Sequence, residues 1–295
     1  MKNILIILIL TIFISCNNDD DDGYEYTEIE NSPLAHVDLG FELDEPNIIL
    51  NELSKAELKN SIHSILLVSY GNTYRKWEFE YLENTNTLSK MVFYLPHYQG
   101  CEQNIYDFSY NSLNLIDKVV STRKNFCNEY EVIKTYTFNY NNAGLLKSIF
   151  MDNDYFVEEN YFGYYPNGKI KEIYNDHRGQ GSEPSFNLQK FTYNQTFTNV
   201  TEVEQISTNT HYTYKYTYDS NPNPFKDVFI ATSVFMPYIG PAYLSENNVI
   251  KVLEKNENNI YNQEFWTEFV FNYSNVNLLM NYFNSNNEVV YTINQ

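Results

Sequence analysis

The stretch YTFNYNNAGLLKSI, residues 136–149, decides the fold. Its aromatic residues Tyr136, Phe138 and Tyr140 stand at every second position, the period that sends alternate side chains of an extended strand to one face. Thr135, Thr137 and Asn139 go to the other face. Asn141-Asn142-Ala143-Gly144 is turn chemistry, because Asn and Gly tolerate positive φ. Leu145, Leu146 and Ile149 then open a return strand, so the phrase reads as one β-hairpin. One detail resists simple alternation. Leu146 and Ile149 are three positions apart and cannot share a flat face, which a bulge after the turn would reconcile.

The phrase recurs along the chain. Trp77, Phe79 and Tyr81 lead to Leu88 and Met91. Tyr106, Phe108 and Tyr110 lead to Leu115, Ile116 and Val119. Phe162 and Tyr164 pass through Pro166-Asn167-Gly168 to Ile170 and Ile173. Phe191 and Tyr193 lead to Val200 and Val203, Tyr214, Tyr216 and Tyr218 run into Asp219-Ser220-Asn221-Pro222, and Phe269, Phe271 and Tyr273 lead to Leu278 and Leu279. The third aromatics fall about 24–30 residues apart until the last gap, which is double, and such a period marks units that bury their apolar faces only beside neighbours. The expected fold is all-β: an up-and-down antiparallel meander of repeated long hairpins, about 14–17 strands, strongly curled or barrel-like.

Composition agrees. The apolar content is dominated by 28 Tyr and 20 Phe, which suit a half-buried pleated surface. A net charge of −19 argues against nucleic-acid binding, which requires neutralised phosphates.

The first residues carry an address. Lys2 precedes an apolar run from Ile4 to Leu10 that continues through Thr11 to Ile14, a signal-peptide pattern too short for a membrane span. It ends in Phe13-Ile14-Ser15-Cys16, which resembles a bacterial lipobox, with Cys16 the residue to be lipidated. Asp19 to Asp22 then form a run of like charges that repel and stay solvated. An acidic cluster directly after the lipidated cysteine resembles the export signal of surface lipoproteins in Bacteroidota. The expected organisation is a signal peptide over residues 1–16, an acidic tether over 17–30, an irregular lead-in over 31–60 with a short helix from the capping box Ser54-Lys55-Ala56-Glu57 to about His63, and a repeat domain over 61–295.

Chemistry-bearing patterns are sparse. The five histidines, His36, His63, His97, His177 and His211, show no metal-ligand spacing, and no nucleophile elbow or phosphate loop occurs. No catalytic residue, metal or cofactor is therefore expected. Asp152, Asp154, Glu158 and Glu159 gather near one turn and are the candidate carboxylates for glycoside hydrolysis. Cys101 and Cys127 flank the Tyr106–Val119 hairpin and form an even pair for a disulfide in an oxidising compartment. Residues 219–247 interrupt the repeat with four prolines and many large apolar residues. They are expected to fold against the sheet as a plug or end-cap, or to wall a ligand pocket, with Phe229, Val234, Phe235 and Tyr238 as the packing residues.

The repeat Y-x-F-x-Y-N-x-x-G-L-L-x-x-I resembles YD/RHS-type repeats. The chain over roughly residues 60–295 is similar to a family of Bacteroidota surface lipoproteins whose domain is porin-like in fold. Asp219 to Lys226, followed by Leu244-Ser245-Glu246-Asn247-Asn248, is similar to a paired motif of that family. The resemblance implies an outer-membrane, outward-facing, lipid-anchored module, with no activity attached. A membrane-spanning barrel is not expected, because lipid already supplies the anchor and the Tyr, Ser, Thr and Asn of the strands suit water. The expected role is a binding or structural module. Its contacts would be the membrane through the lipid alone and a glycan or protein ligand, with aromatic stripes that could stack on sugars. A hydrolase acting on surface glycans is the alternative.

Overall fold

Alternating aromatic and polar residues make strands here because every second side chain can be buried while its neighbours stay wet. The computed structural model describes residues 62–69, 72–85, 87–94, 103–124, 130–141, 144–153, 156–179, 184–223, 226, 244–258, 264–273, 279–284 and 287–293. They form β1 (Ile62–Ser69), β2 (Asn72–Tyr81), β3 (Leu88–Tyr94), β4 (Gln103–Tyr110), β5 (Ile116–Lys124), β6 (Tyr130–Tyr140), β7 (Leu146–Asp152), β8 (Phe156–Tyr164), β9 (Ile170–Gly179), β10 (Ser185–Tyr193), β11 (Val200–Ser207), β12 (His211–Pro222), β13 (Asn247–Asn256), β14 (Glu264–Glu268), β15 (Val270–Tyr273), β16 (Leu279–Asn284) and β17 (Asn287–Ile293).

All 17 strands belong to one sheet. Each ladder is antiparallel and joins chain neighbours, from β1 with β2 through β13 with β14. β15, β16 and β17 continue the meander, and β17 pairs with β1. The path of ladders thus begins at β15 and ends at β14. These two are consecutive in the chain and share no ladder among the described residues. The expected antiparallel meander is present. The ladders do not seal it into a barrel.

The register slips by one residue at the same place in hairpin after hairpin: between Glu80 and Tyr81, Ser109 and Tyr110, Asn139 and Tyr140, Gly163 and Tyr164, Thr192 and Tyr193, and Asn272 and Tyr273. This is the bulge that the apolar spacing requires. Tyr140 faces Leu146 while Asn139 faces Ser148, so Lys147 is the extra residue. Leu146 and Ile149 consequently share the buried face, each 1% exposed.

That face is the core. Trp77, Phe79, Met91, Phe108, Val119, Tyr136, Phe138, Phe162, Phe191 and Val203 are buried in a single apolar cluster, while Thr137, Asn139, Asp107 and Ser109 are exposed. Tyr214, Tyr216, Phe271 and Tyr273 pack against it. The aromatic stripes therefore serve packing.

The third aromatic of the repeat has a further task. The hydroxyl of Tyr110 donates to the carbonyl of Leu88 at 2.5 Å, Tyr140 to Ile116 at 2.6 Å, Tyr164 to Leu146 at 2.5 Å and Tyr218 to Val200 at 2.5 Å. Each acceptor sits beside the extra residue of the preceding hairpin's bulge. The tyrosine thus links one hairpin to the one before it and satisfies a carbonyl where the ladder is broken. Burial pushes the hydroxyls of Tyr164 and Tyr218 well above the usual tyrosine range, so both remain donors.

The asparagine that follows organises the turn. Asn111 Oδ1 accepts the amides of Leu113 and Leu115, Asn141 Oδ1 that of Leu145, and Asn194 Oδ1 that of Thr198. Gly144 and Asn114 take the positive φ that closes their loops, 79° and 60°.

Two boundaries differ from expectation. Ile62 and His63, the end of the expected short helix, belong to β1. β12 runs on to Pro222, opposite Asn247, into the stretch expected to be insertion. Proline is tolerated there because the strand is ending.

Replacing Phe138, 4% exposed, with Ala should cost about 3–5 kcal/mol. Tyr140→Phe should cost about 1 kcal/mol by deleting one hydrogen bond. Chemical denaturation of both variants beside Thr137→Ala, expected to be near neutral, checks the ranking.

Candidate functional site

Cys16, Cys101, Cys127, Phe229, Val234, Phe235, Tyr238 and Asp154 lie outside the described residues. Near the two central cysteines, the β4–β5 ladder ends with Gln103 opposite Lys124. The remaining candidates can be placed.

The paired motif forms one polar clamp. Ser245, fully buried, accepts the amide of Val200 on Oγ at 3.1 Å and lies 2.9 Å from the Tyr218 hydroxyl. Asn223 Nδ2 donates to the Ser245 carbonyl at 3.0 Å, and its amide to that of Glu246 at 2.8 Å. Asn247 and Asn199 exchange two hydrogen bonds, 2.9 and 3.1 Å. Asn248 donates its amide to Asp219 Oδ1 at 3.2 Å. Its side-chain nitrogen reaches the carbonyls of Asn221 and Pro222 and the hydroxyl of Tyr273, at 3.4, 3.3 and 3.0 Å. The Tyr273 hydroxyl donates to the Asp219 carboxylate, and burial together with that carboxylate raises its pKa. Lys226 closes the group on Glu246 at 3.1 Å. β11, β12, β13 and β15 are held together where the register of β12 shifts, between Tyr218 and Pro222. The motif is the fastening of the sheet at the insertion.

A second polar group shares the face of the core. Lys134 continues the alternation of Tyr136 and Phe138, Arg123 that of Val119 and Ser121, and Glu158 and Asn160 that of Phe162. Glu158 Oε1 accepts from Asn175 Nδ2 at 2.7 Å and Asn160 Nδ2 at 3.2 Å, and Glu158 Oε2 stands 4.0 Å from His177 Nδ1. The Phe156 ring has His177 at 4.9 Å and Lys134 Nζ at 5.1 Å. Desolvation lowers the Lys134 pKa. Glu158 opposes that shift and Arg123 adds to it. Lys134 and Arg123 thus face the same side as Glu158, with Glu131 opposite Arg123 in the β5–β6 ladder.

Among the described residues of the acidic quartet, Glu158 stands apart from Asp152 and Glu159, which share the other face. Glu158 and Glu159 are adjacent in β8 and alternate between faces, so Glu158 looks to the core side and Glu159 away from it. Asp152 is exposed and pairs with Val157. Among the described residues no group of His, Cys, Asp and Glu could hold a metal ion. His211 is within 2.9 Å of Glu204, an ordinary strand-to-strand contact. Composition could not reveal the Lys134–Glu158 group, although counting by twos from Tyr136 and Phe162 puts both residues on the core face.

The fold defines a class: a single antiparallel meander of bulged, tyrosine-linked hairpins. The chain matches no protein-family model, and no curated protein matches it. It is similar to a solved porin-like protein from Bacteroides uniformis, at 14% identity over 82% of this chain and 100% of that one, with a TM-score of 0.41. A porin-like protein from Bacteroides vulgatus gives 9% identity, 79% and 99% coverage and 0.43. At these TM-scores the likenesses carry no argument about what this chain does.

Asn248, 4% exposed, serves four partners in the clamp. Asn248→Ala should cost about 1–3 kcal/mol. Thermal unfolding measures the loss, and amide exchange should show it concentrated in β12, β13 and β15.

Proposed function

We propose that this chain is a lipid-anchored, outward-facing module of the bacterial outer membrane that binds a small acidic ligand, such as an acidic glycan, at the polar end of its core face. The anchor rests on Ser15-Cys16 after the apolar run, and the outward orientation on Asp19 to Asp22. In this reading the sheet curls about its aromatic stripes, which accounts for their burial. The observation that carries the ligand class is the half-buried, partly desolvated ammonium of Lys134 beside Arg123 on the face of Glu158. A desolvated ammonium on a chain of net −19 gains most from an anion that restores the stabilisation lost with its solvation. Glycoside hydrolysis could not use Glu158 with Glu159, which lie on opposite faces.

The anchor is tested by cell fractionation. Cys16→Ala should release the protein from the membrane fraction, and replacing Asp19 to Asp22 should leave it anchored but shielded from protease added to intact cells. A membrane-bound Cys16→Ala protein would overturn the anchor, and unchanged digestion of the aspartate variant would overturn the orientation.

The ligand class is tested by calorimetry with an oligogalacturonate against a neutral maltooligosaccharide. The acidic probe alone should bind. Lys134→Gln should weaken it about tenfold or more, one lost charge-assisted contact. The charged amine is the binding form and its pKa lies below the ordinary lysine value. Affinity should therefore fall as pH rises through that lowered pKa. Equal binding of the neutral probe, or no binding of the acidic one, would overturn the reading.

A further inference from the structure

β14 is exposed on both faces along its whole length, with Phe265 at 58% and Trp266 at 55%. It pairs with β13 along one edge: Lys251 opposite Glu268, Val252 opposite Thr267, Leu253 opposite Trp266, Glu254 opposite Phe265 and Lys255 opposite Glu264. Its other edge meets no ladder among the described residues, because β16 pairs with β15 and turns back through Asn284 and Asn287.

The phase of the ladder shows which backbone groups turn away from β13 and meet no ladder among the described residues. The Phe269 amide donates to the Ile250 carbonyl at 2.9 Å. Backbone groups alternate sides along a strand, so those of Thr267 and Phe265 also turn to β13. The amides and carbonyls of Glu264, Trp266 and Glu268 turn to the open edge. An open edge of this kind is a template for one more strand.

We infer that this edge docks an extended, cationic segment of a partner protein by strand addition, with basic residues opposite Glu264 and Glu268. The charges choose the occupant. A second copy paired about Trp266 would set Glu264 of one chain against Glu268 of the other, twice, and would bring together two molecules of net −19. A strand with Lys or Arg at those positions reverses both terms. Lys251 already lies 2.8 Å from Glu268 and 4.2 Å above the Trp266 ring, but the Glu268 side chain is still 69% exposed and able to take a second cation.

The test uses the full chain and two labelled peptides, Lys-Thr-Val-Thr-Lys and Glu-Thr-Val-Thr-Glu, followed by fluorescence anisotropy. The lysine peptide should bind on the order of tenfold more tightly than the glutamate peptide, the effect of two cross-strand charge pairs. Glu264→Lys with Glu268→Lys should invert that preference. Trp266→Pro removes an amide that points to the open edge and leaves the β13 ladder intact, so it should abolish binding with an unchanged circular dichroism spectrum. Trp266→Val keeps the amide and should keep the preference. Equal binding of both peptides, binding that survives Trp266→Pro, or a dimer in sedimentation lost on Trp266→Pro would each overturn the proposal.

Discussion

The break in register at each hairpin is the constraint on which the rest of the sheet depends. A plain ladder would place Leu146 and Ile149 on opposite faces and expose one of them. The extra residue Lys147 lets both reach the core. The bulge also interrupts the hydrogen bonds beside it, and the hydroxyl of Tyr164 supplies a donor to the Leu146 carbonyl from the next hairpin. Burial of apolar side chains and satisfaction of the backbone are thus solved by one residue pair, repeated at Tyr110–Leu88, Tyr140–Ile116 and Tyr218–Val200. This explains why the third aromatic of the repeat is tyrosine while the second is often phenylalanine.

At the insertion the repeat uses the same logic with more parts. Tyr218 keeps its bond to Val200, but the next strand does not follow directly, and the register of β12 slips again before Pro222. Ser245, Asn223, Asn247 and Asn248 replace the simple turn with side-chain hydrogen bonds to the Val200 amide on β11, the Asn221 and Pro222 carbonyls on β12, the Ser245 carbonyl and the Tyr273 hydroxyl on β15. Asparagine suits this role because one side chain both donates and accepts. Leu244, beside Ser245, joins the apolar cluster, so the clamp is pinned to the core at one end.

Inward-turned stripes decide what kind of surface is left for function. The rings of the stripes are consumed in packing, and the Phe156 ring has His177 and Lys134 beside it. The two proposed recognition surfaces are the polar side chains at the end of the core face and the backbone of β14. These are different chemistries, one of charge and one of main-chain hydrogen bonding, and they lie on separate strands.

The sequence alone determined the aromatic hairpins and their antiparallel succession. Period-two aromatics separated by Asn and Gly turns admit little else, and the spacing of Leu146 and Ile149 even required the bulge. It did not determine whether the stripes face water or core, because alternation is the same in both cases and only the neighbouring hairpins supply cover. It suggested an acidic site at Asp152, Asp154, Glu158 and Glu159 from closeness in the chain, whereas a strand sends adjacent carboxylates to opposite faces. Glu158 acquires its partners from Asn175 and His177, which β9 brings alongside through a ladder. The open edge of β14 was equally invisible, since it arises from where β16 turns back and not from any property of Glu264 to Glu268 themselves. Local pattern is written in the chain by side-chain period, while exposure and proximity follow from which strand lies next to which.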